Sequence, residues 1–335
     1  MTKVTIKDIA KKVGCAPSMV SMAMNDKPGI SKDLKTRILK VANQMNWVPT
    51  LASATLRKGR SNKILMMLPY DGLSGDIMAN NGVIALLHGL TKALENTNFD
   101  IDIAFETEEP QILYPKLNRE RQPAAFVFMN ILKDDWRHRW LLESEIPFVS
   151  FGQLEDYKNY NFVDFDNRKY TYNATNLALE KGYKDVILYA PSNAYTYGAE
   201  FILGYQQAYQ DCGLKYDSNL IFMADSLEDI QNPEKFIKNS LSENLKGKAI
   251  VASDETIAIY LIDELRKQGY DINKDIFLIA RSSSRILEIL APSAFVWYQD
   301  TYQAGTKIAE IITEYLSQDN PEYQHYYFEE RPIVR

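Results

Sequence analysis

The run Thr5-Ile6-Lys7-Asp8-Ile9-Ala10-Lys11-Lys12-Val13-Gly14-Cys15-Ala16-Pro17-Ser18-Met19-Val20-Ser21-Met22-Ala23-Met24 reads as two short helices joined by a tight bend. Thr5 is a good N-cap, and Ile6, Ile9, Ala10 and Val13 recur after it at helical spacing. Gly14 stops that helix, and Pro17 suits the first turn of the next. Val20, Ala23 and Met24 form the second helix's apolar face, leaving Ser18, Met19, Ser21, Met22 and Asn25 on the other side. Asn25 to Gly29 is a turn cluster. Ser31 then caps a third helix whose apolar positions are Leu34, Ile38, Val41, Ala42 and Met45. Two helices about a glycine turn, braced by a third, make a helix-turn-helix, and its second helix is the one shaped for a major groove. A small protein-interaction bundle is the other reading of the same pattern.

Charge separates these readings. Residues 1–63 hold thirteen Lys and Arg against Asp8, Asp26 and Asp33, near +10. The whole chain is −6, so the remainder is near −16. A basic head interleaved with apolar positions, on an acidic body, is the footprint of a nucleic-acid-binding module joined to something else. The chain has 335 residues, enough for about two large units. Its 46% hydrophobic and 24% charged residues are the mix of a folded protein rather than a disordered or fibrous one. Apolar runs such as Ile64–Leu68 fall far short of the ~20 residues that span a bilayer, and the N-terminus has no signal-peptide core. Cys15 and Cys212 have neither metal nor redox spacing, which fits a reducing cytosol.

Beyond Lys63, short apolar runs alternate with amphipathic helices. The expected strands are Ile64–Leu68, Ile101–Ala104, Ala125–Met129 and Phe148–Phe151, then Val186–Tyr189, Leu220–Met223, Lys248–Ala252 and Ile276–Ala280. The expected helices are 83–94, 112–117 and 136–143, then 174–181, 200–212, 233–241 and 256–268. This α/β alternation predicts two parallel sheets covered by helices, with a ligand cleft beyond the strand C-termini.

The head resembles that of the LacI/GalR family of bacterial regulators. The match runs through Thr5–Ala10, Val20-Ser21, Asn25, Pro28–Ser31 and Asn46-Trp47-Val48-Pro49, and Thr50–Gly59 resembles the family's hinge. In the body, Val163–Asn167, Gly182-Tyr183-Lys184, Gly204-Tyr205, Leu290-Ala291-Pro292, Tyr298-Gln299-Asp300, Gly305 and Ala309 continue the match. The resemblance implies a homodimeric, DNA-binding transcription regulator, by default a repressor, reading an inverted-repeat operator. It implies a two-lobed body like the periplasmic sugar-binding proteins, with three crossovers between lobes and a small carbohydrate-like effector. The hinge would fold on the operator and insert Leu56 at a central base step. Leu51, Ala52, Thr55 and Leu56 do share one stripe of a short helix, and a helix that short is marginal alone in water.

The implied divisions are a helix-turn-helix domain at 1–49, a hinge helix and linker at 50–61, and an effector-binding and dimerisation body at 62–335. Lobe one would span about 62–163 and 293–322, and lobe two about 164–292 and 323–335. The candidate DNA contacts are Thr5, Pro17, Ser18, Met19, Ser21, Met22, Asn25, Ser31, Thr50, Ala52, Ser53 and Leu56. The candidate effector contacts are Tyr70, Tyr195, Tyr197, Phe201, Asp254, Ser282 and Tyr298, with Trp297 a further cleft aromatic.

Two departures matter. Met19 and Met22 stand where most members have a threonine and a guanine-reading arginine, and Ala16 replaces a serine cap. In the body the family often has arginines at Phe201 and Tyr298, an aspartate at Ser282 and an aromatic at Gly75 or Asp76. Only Asp254 keeps its type, either to accept hydroxyl hydrogen bonds or to cap the following helix. The missing arginines point to a neutral sugar rather than an anionic one. An extracytoplasmic solute-binding protein would share the body but not the head, and control by a protein partner is a further alternative. His88, His138 and His325 have no partner in a catalytic motif, and there is no phosphate loop or metal spacing. No enzyme activity and no cofactor are expected.

Overall fold

The computed structural model describes residues 5–24, 28–45, 60–69, 81–107, 109–154, 158–234, 245–272, 274–318 and 321–332. The chain divides into two compact units, Met1–Ser61 and Asn62–Arg335.

The first unit holds α1 (Ile6–Val13), α2 (Pro17–Met24) and α3 (Lys32–Gln44). Thr5 caps α1 in a reciprocal box: its hydroxyl accepts from the Asp8 amide, and the Asp8 carboxylate accepts from the Thr5 amide at 2.8 Å. Gly14 closes α1 in the left-handed conformation, φ +79°. Ala16 lends only its carbonyl to the start of α2, accepting from Met19 N at 2.9 Å. Ser31 accepts from Leu34 N and so caps α3. Ile9, Ala10, Val13, Val20, Ala23, Ile38 and Ala42 are the buried core, the positions that helical spacing marks apolar.

The second unit contains two six-stranded sheets. Its elements begin with β1 (Lys63–Leu68), α4 (Asn81–Leu94), β2 (Asp100–Phe105), α5 (Pro110–Arg121), β3 (Ala125–Met129), α6 (Trp136–Glu143), β4 (Phe148–Phe151) and β5 (Asn161–Phe165). Then come α7 (Asn167–Glu180), β6 (Val186–Pro191), α8 (Thr196–Asp211), β7 (Ile221–Ala224), α9 (Leu227–Gln231), β8 (Lys248–Ala252), α10 (Glu255–Lys267), β9 (Ile276–Ser282) and α11 (Ile286–Leu290). Last are β10 (Phe295–Tyr298), α12 (Thr301–Ser317), β11 (His325–Phe328) and β12 (Arg331–Pro332). The first sheet runs β11-β5-β4-β3-β1-β2 and the second β12-β10-β9-β8-β6-β7. All pairings are parallel except β10 with β12.

Strands buried on both faces explain the uninterrupted apolar runs. Ile64, Met66 and Leu68 pack under α4 and α12, while Leu65 and Met67 pack under α5 and α6. In the second sheet Ile250 and Ala252 meet α10, and Ala249 and Val251 meet α7 and α8.

The chain crosses between sheets three times: after β5, after β10 and after β11. This corrects the expected lobe limits. Residues 295–298 belong to the second lobe, because β10 pairs with β9 and buries Val296 and Trp297 there. Residues 325–328 belong to the first lobe, because β11 pairs with β5. β5 carries the first sheet on to Phe165, past the expected limit at 163. Among the described residues no helix is long and apolar enough to cross a membrane. The expected helix at 233–241 lies almost wholly outside the described residues.

Candidate functional site

On the head, Val20 and Ala23 of α2 turn into the core, and Pro17, Ser18 and Met19 are exposed. Ser21 and Met22 are half-buried. Thr5 and Ser31 are exposed caps at the starts of α1 and α3. Between Pro17 and Met24 there is no charged side chain. The cations stand on the other helices, with Lys7, Lys11, Lys12, Lys32, Arg37 and Lys40 all exposed. An uncharged helix between cationic neighbours can enter a groove while the neighbours hold phosphates. Asn25, Thr50, Ala52, Ser53 and Leu56 lie outside the described residues.

In the body, the C-terminal ends of the two sheets face a cavity of about 210 Å³. Lobe one contributes Asn81, Met129, Asn130, Phe151 and Asp164; lobe two contributes Asn167, Tyr197, Phe201, Asp254, Glu255 and Arg281; Gln299 comes from a crossover. The lobes touch directly around it. Asn81 Nδ2 donates to Glu255 Oε1 at 2.9 Å. Thr196 N donates to the Ile131 carbonyl at 2.9 Å and Lys133 N to the Ala194 carbonyl at 3.0 Å, so the loop after β3 is bridged to the loop after β6.

Of the expected effector residues, Tyr197, Phe201 and Asp254 line this cavity. Asp254 also caps α10, its Oδ1 accepting from Ile257 N at 2.9 Å, so it stands both at the helix start and in the cavity wall. Burial raises its pKa above the usual carboxylate value. Four other expected residues do not line the cavity. Tyr195 stacks on Tyr197 with ring centroids 5.2 Å apart and lies outside the cavity wall. Ser282 is buried and bonds Glu255, so it orients a cavity residue instead of lining the cavity. Tyr298 is 39% exposed on the surface of β10. Trp297 is core, 5.8 Å from the Tyr170 ring. Tyr70 lies outside the described residues.

Sequence reasoning missed Arg281. It is 3% exposed, and its guanidinium lies 4.3 Å from the Tyr170 ring centroid and 5.2 Å from that of Phe201. Its Nη2 pairs with Glu330 at 2.6 Å, and its Nη1 donates to Asn167 Oδ1 at 2.9 Å. The cleft therefore does contain an arginine, whose charge Glu330 matches once it ionises, above about pH 7. The signal was a charged residue at the C-terminal end of an otherwise apolar strand, Ile276–Ser282. Asn167 Nδ2 in turn donates to Glu200 at 3.0 Å, and Gln153 bonds Glu200 from the other lobe. A floor of carboxyl and amide groups beside aromatic side chains suits a ligand that offers hydroxyls.

A helix-turn-helix head on a two-lobed body with an interlobe cavity defines a DNA-binding transcription regulator with a built-in ligand cleft. Comparison with known proteins agrees. Residues 5–50 match the model for bacterial regulatory proteins of the lacI family, and residues 175–335 match the periplasmic binding protein-like domain. The transcriptional regulator RegA of Clostridium saccharobutylicum is 24% identical over 99% of this chain and 98% of its own. MalR of Streptococcus pneumoniae is 26% identical over 80% of this chain and 81% of its own. The fold is shared with the regulator CelR in its cellobiose complex, at a TM-score of 0.73, 18% identity and 99% coverage of both chains. It is also shared with the lac repressor dimer on its operator, at a TM-score of 0.78 and 11% identity, covering 100% of this chain and 98% of that one. The chain thus carries a head that matches the lacI-family model and is similar over nearly its whole length to HTH-type transcription regulators.

Proposed function

We propose that the protein is a cytosolic homodimer that represses from an inverted-repeat operator, with occupancy set by a neutral sugar in the interlobe cavity. The observation that carries the effector reading is the cavity itself, lined by the aromatic side chains of Phe201 and Tyr197 and by the hydrogen-bonding groups of Asn81, Asp254 and Gln299. At about 210 Å³ it is below the roughly 300–1,000 Å³ around drug-sized ligands, so one sugar ring suits it. Relatives bearing maltose and cellobiose in their descriptions support a carbohydrate. Dimerisation is supported by the β2 edge of the first sheet, where Ile103 and Phe105 are 40% and 53% exposed, with Ile112 of the next helix 62% exposed. Two such edges meeting about a two-fold axis would cover both.

Calorimetry with neutral mono- and disaccharides tests the effector reading. Asp254→Ser keeps the α10 cap, since serine caps as well as aspartate does, but withdraws the carboxylate. The sugar that binds wild type should bind Asp254→Ser at least about tenfold more weakly. Equal binding by both would make Asp254 a cap alone, and absence of binding by any sugar would remove the carbohydrate reading.

A further inference from the structure

The sequence of α2, Pro-Ser-Met-Val-Ser-Met-Ala-Met, leaves few ways of reading DNA. A bidentate contact to guanine needs Arg or Lys, and one to adenine needs Asn or Gln; α2 has none of these. Serine hydroxyls serve any base pair. The remaining base-edge feature in the major groove is the C5 methyl of thymine, an apolar group. An apolar reader is present. Met19 is 39% exposed in the first turn, next to the exposed Pro17 and Ser18, at the edge of the face that buries Val20 and Ala23. Met22, one turn later, turns its methyl onto the loop before α3. A Cβ on Gly29 would lie 2.8 Å from Met22 Cε, so the glycine leaves the space that this side chain fills. Met22 is thus seated against the loop, and Met19 is the free thioether of the helix. Methionine is unbranched and adaptable, and it gains from burial against another apolar group.

We propose that Met19 reads thymine methyl groups in the operator half-sites, with Met22 as the packed wall behind it. This rests on α2 entering the major groove. The operator is first selected from random, unmethylated duplex DNA with the full-length protein, so that thymine is the sole source of a C5 methyl. Each thymine is then replaced by deoxyuridine, which removes the methyl alone. One or two positions per half-site should lose roughly three- to fivefold in affinity, about the worth of one buried methyl group. For Met19→Ala, a surface change to a better helix former, the thymine and deoxyuridine operators should bind equally. An operator bound specifically by wild type without regard to deoxyuridine would overturn the proposal and leave groove entry by α2 standing. So would an undiminished deoxyuridine effect in Met19→Ala. A selection yielding no sequence preference would overturn groove entry by α2 itself.

Discussion

Buried ionisable side chains mark where single residues shape this body. Asp164, at the C-terminal end of β5, accepts from Phe165 N at 2.8 Å and Gln153 N at 3.2 Å. Burial, with Glu200 nearby, raises its pKa to about 8, and Glu330, also by burial, sits at about 7 despite Arg281. In both cases the native state keeps a proton that the unfolded chain has already lost by pH 5. Their contribution to stability is full below pH ~4 and is lost as pH rises through about 7 and 8. His138 acts in the opposite sense. It is fully buried, neither ring nitrogen has a hydrogen-bond partner, and burial lowers its pKa to about 4. Its contribution is full above its unfolded value near 6.5 and is lost as pH falls towards 4. Wild-type stability in urea should therefore decline from about pH 6.5 to 8, above the window in which His138 opposes the carboxyl groups, by at most roughly 1.4 kcal/mol per pH unit for each retained proton. Asp164→Asn removes one such proton, so its curve should be visibly flatter. Parallel curves for the two proteins would mean that Asp164 is ionised in the fold.

Among the elements, the crossing of α4 and α12 is the tightest. A Cβ on Gly305 would lie 1.9 Å from the Leu86 carbonyl oxygen, and one on Gly89 would lie 1.9 Å from that of Tyr302. The obstacle is backbone, so no rotamer change relieves it. Gly305→Ala should cost roughly 3 kcal/mol or more, against about 1 kcal/mol for Gly213→Ala, where φ is +68° but space is open. Thermal melts of the two variants check this, and similar melting temperatures would show that the helices can part cheaply. The sequence marks Gly305 as a family position but not as a packing contact, because its partner lies more than two hundred residues away. The same separation explains the strands that periodicity missed. β5 reads Asn-Phe-Val-Asp-Phe, and its two polar residues look like a loop until Asn161 is seen accepting from Gln324 N at 2.9 Å and Asp164 from Gln153. β11 is a short, partly exposed edge strand with no apolar run to announce it. α7 begins at Asn167, seven residues before the expected start, because Asp166 caps it through Lys169 N. By contrast, β3, β4, β8 and α6 have the limits that their apolar pattern marks.

For the whole molecule, the division of charge in the sequence foretold the division of labour, a cationic head and an acidic body. The two-sheet architecture was readable as well, since strands buried on both faces need continuous apolar runs. The cleft was only half readable. Tyr197, Phe201 and Asp254 line it, whereas Arg281 and Glu330 become a pair only when β9 and the last crossover come together. Regulation needs one thing more, a ligand with different affinities for two arrangements of the lobes. The contacts that close the cavity, Asn81 with Glu255 and the bridge between the loops after β3 and β6, are those that such a change would make or break. The most direct measurement is the affinity of the full-length protein for its selected operator, with and without saturating amounts of the sugar found to bind by calorimetry. The affinity should change by at least about fivefold, the lower end of ordinary coupling between sites. A sugar that saturates the body yet leaves operator affinity unchanged would contradict the account.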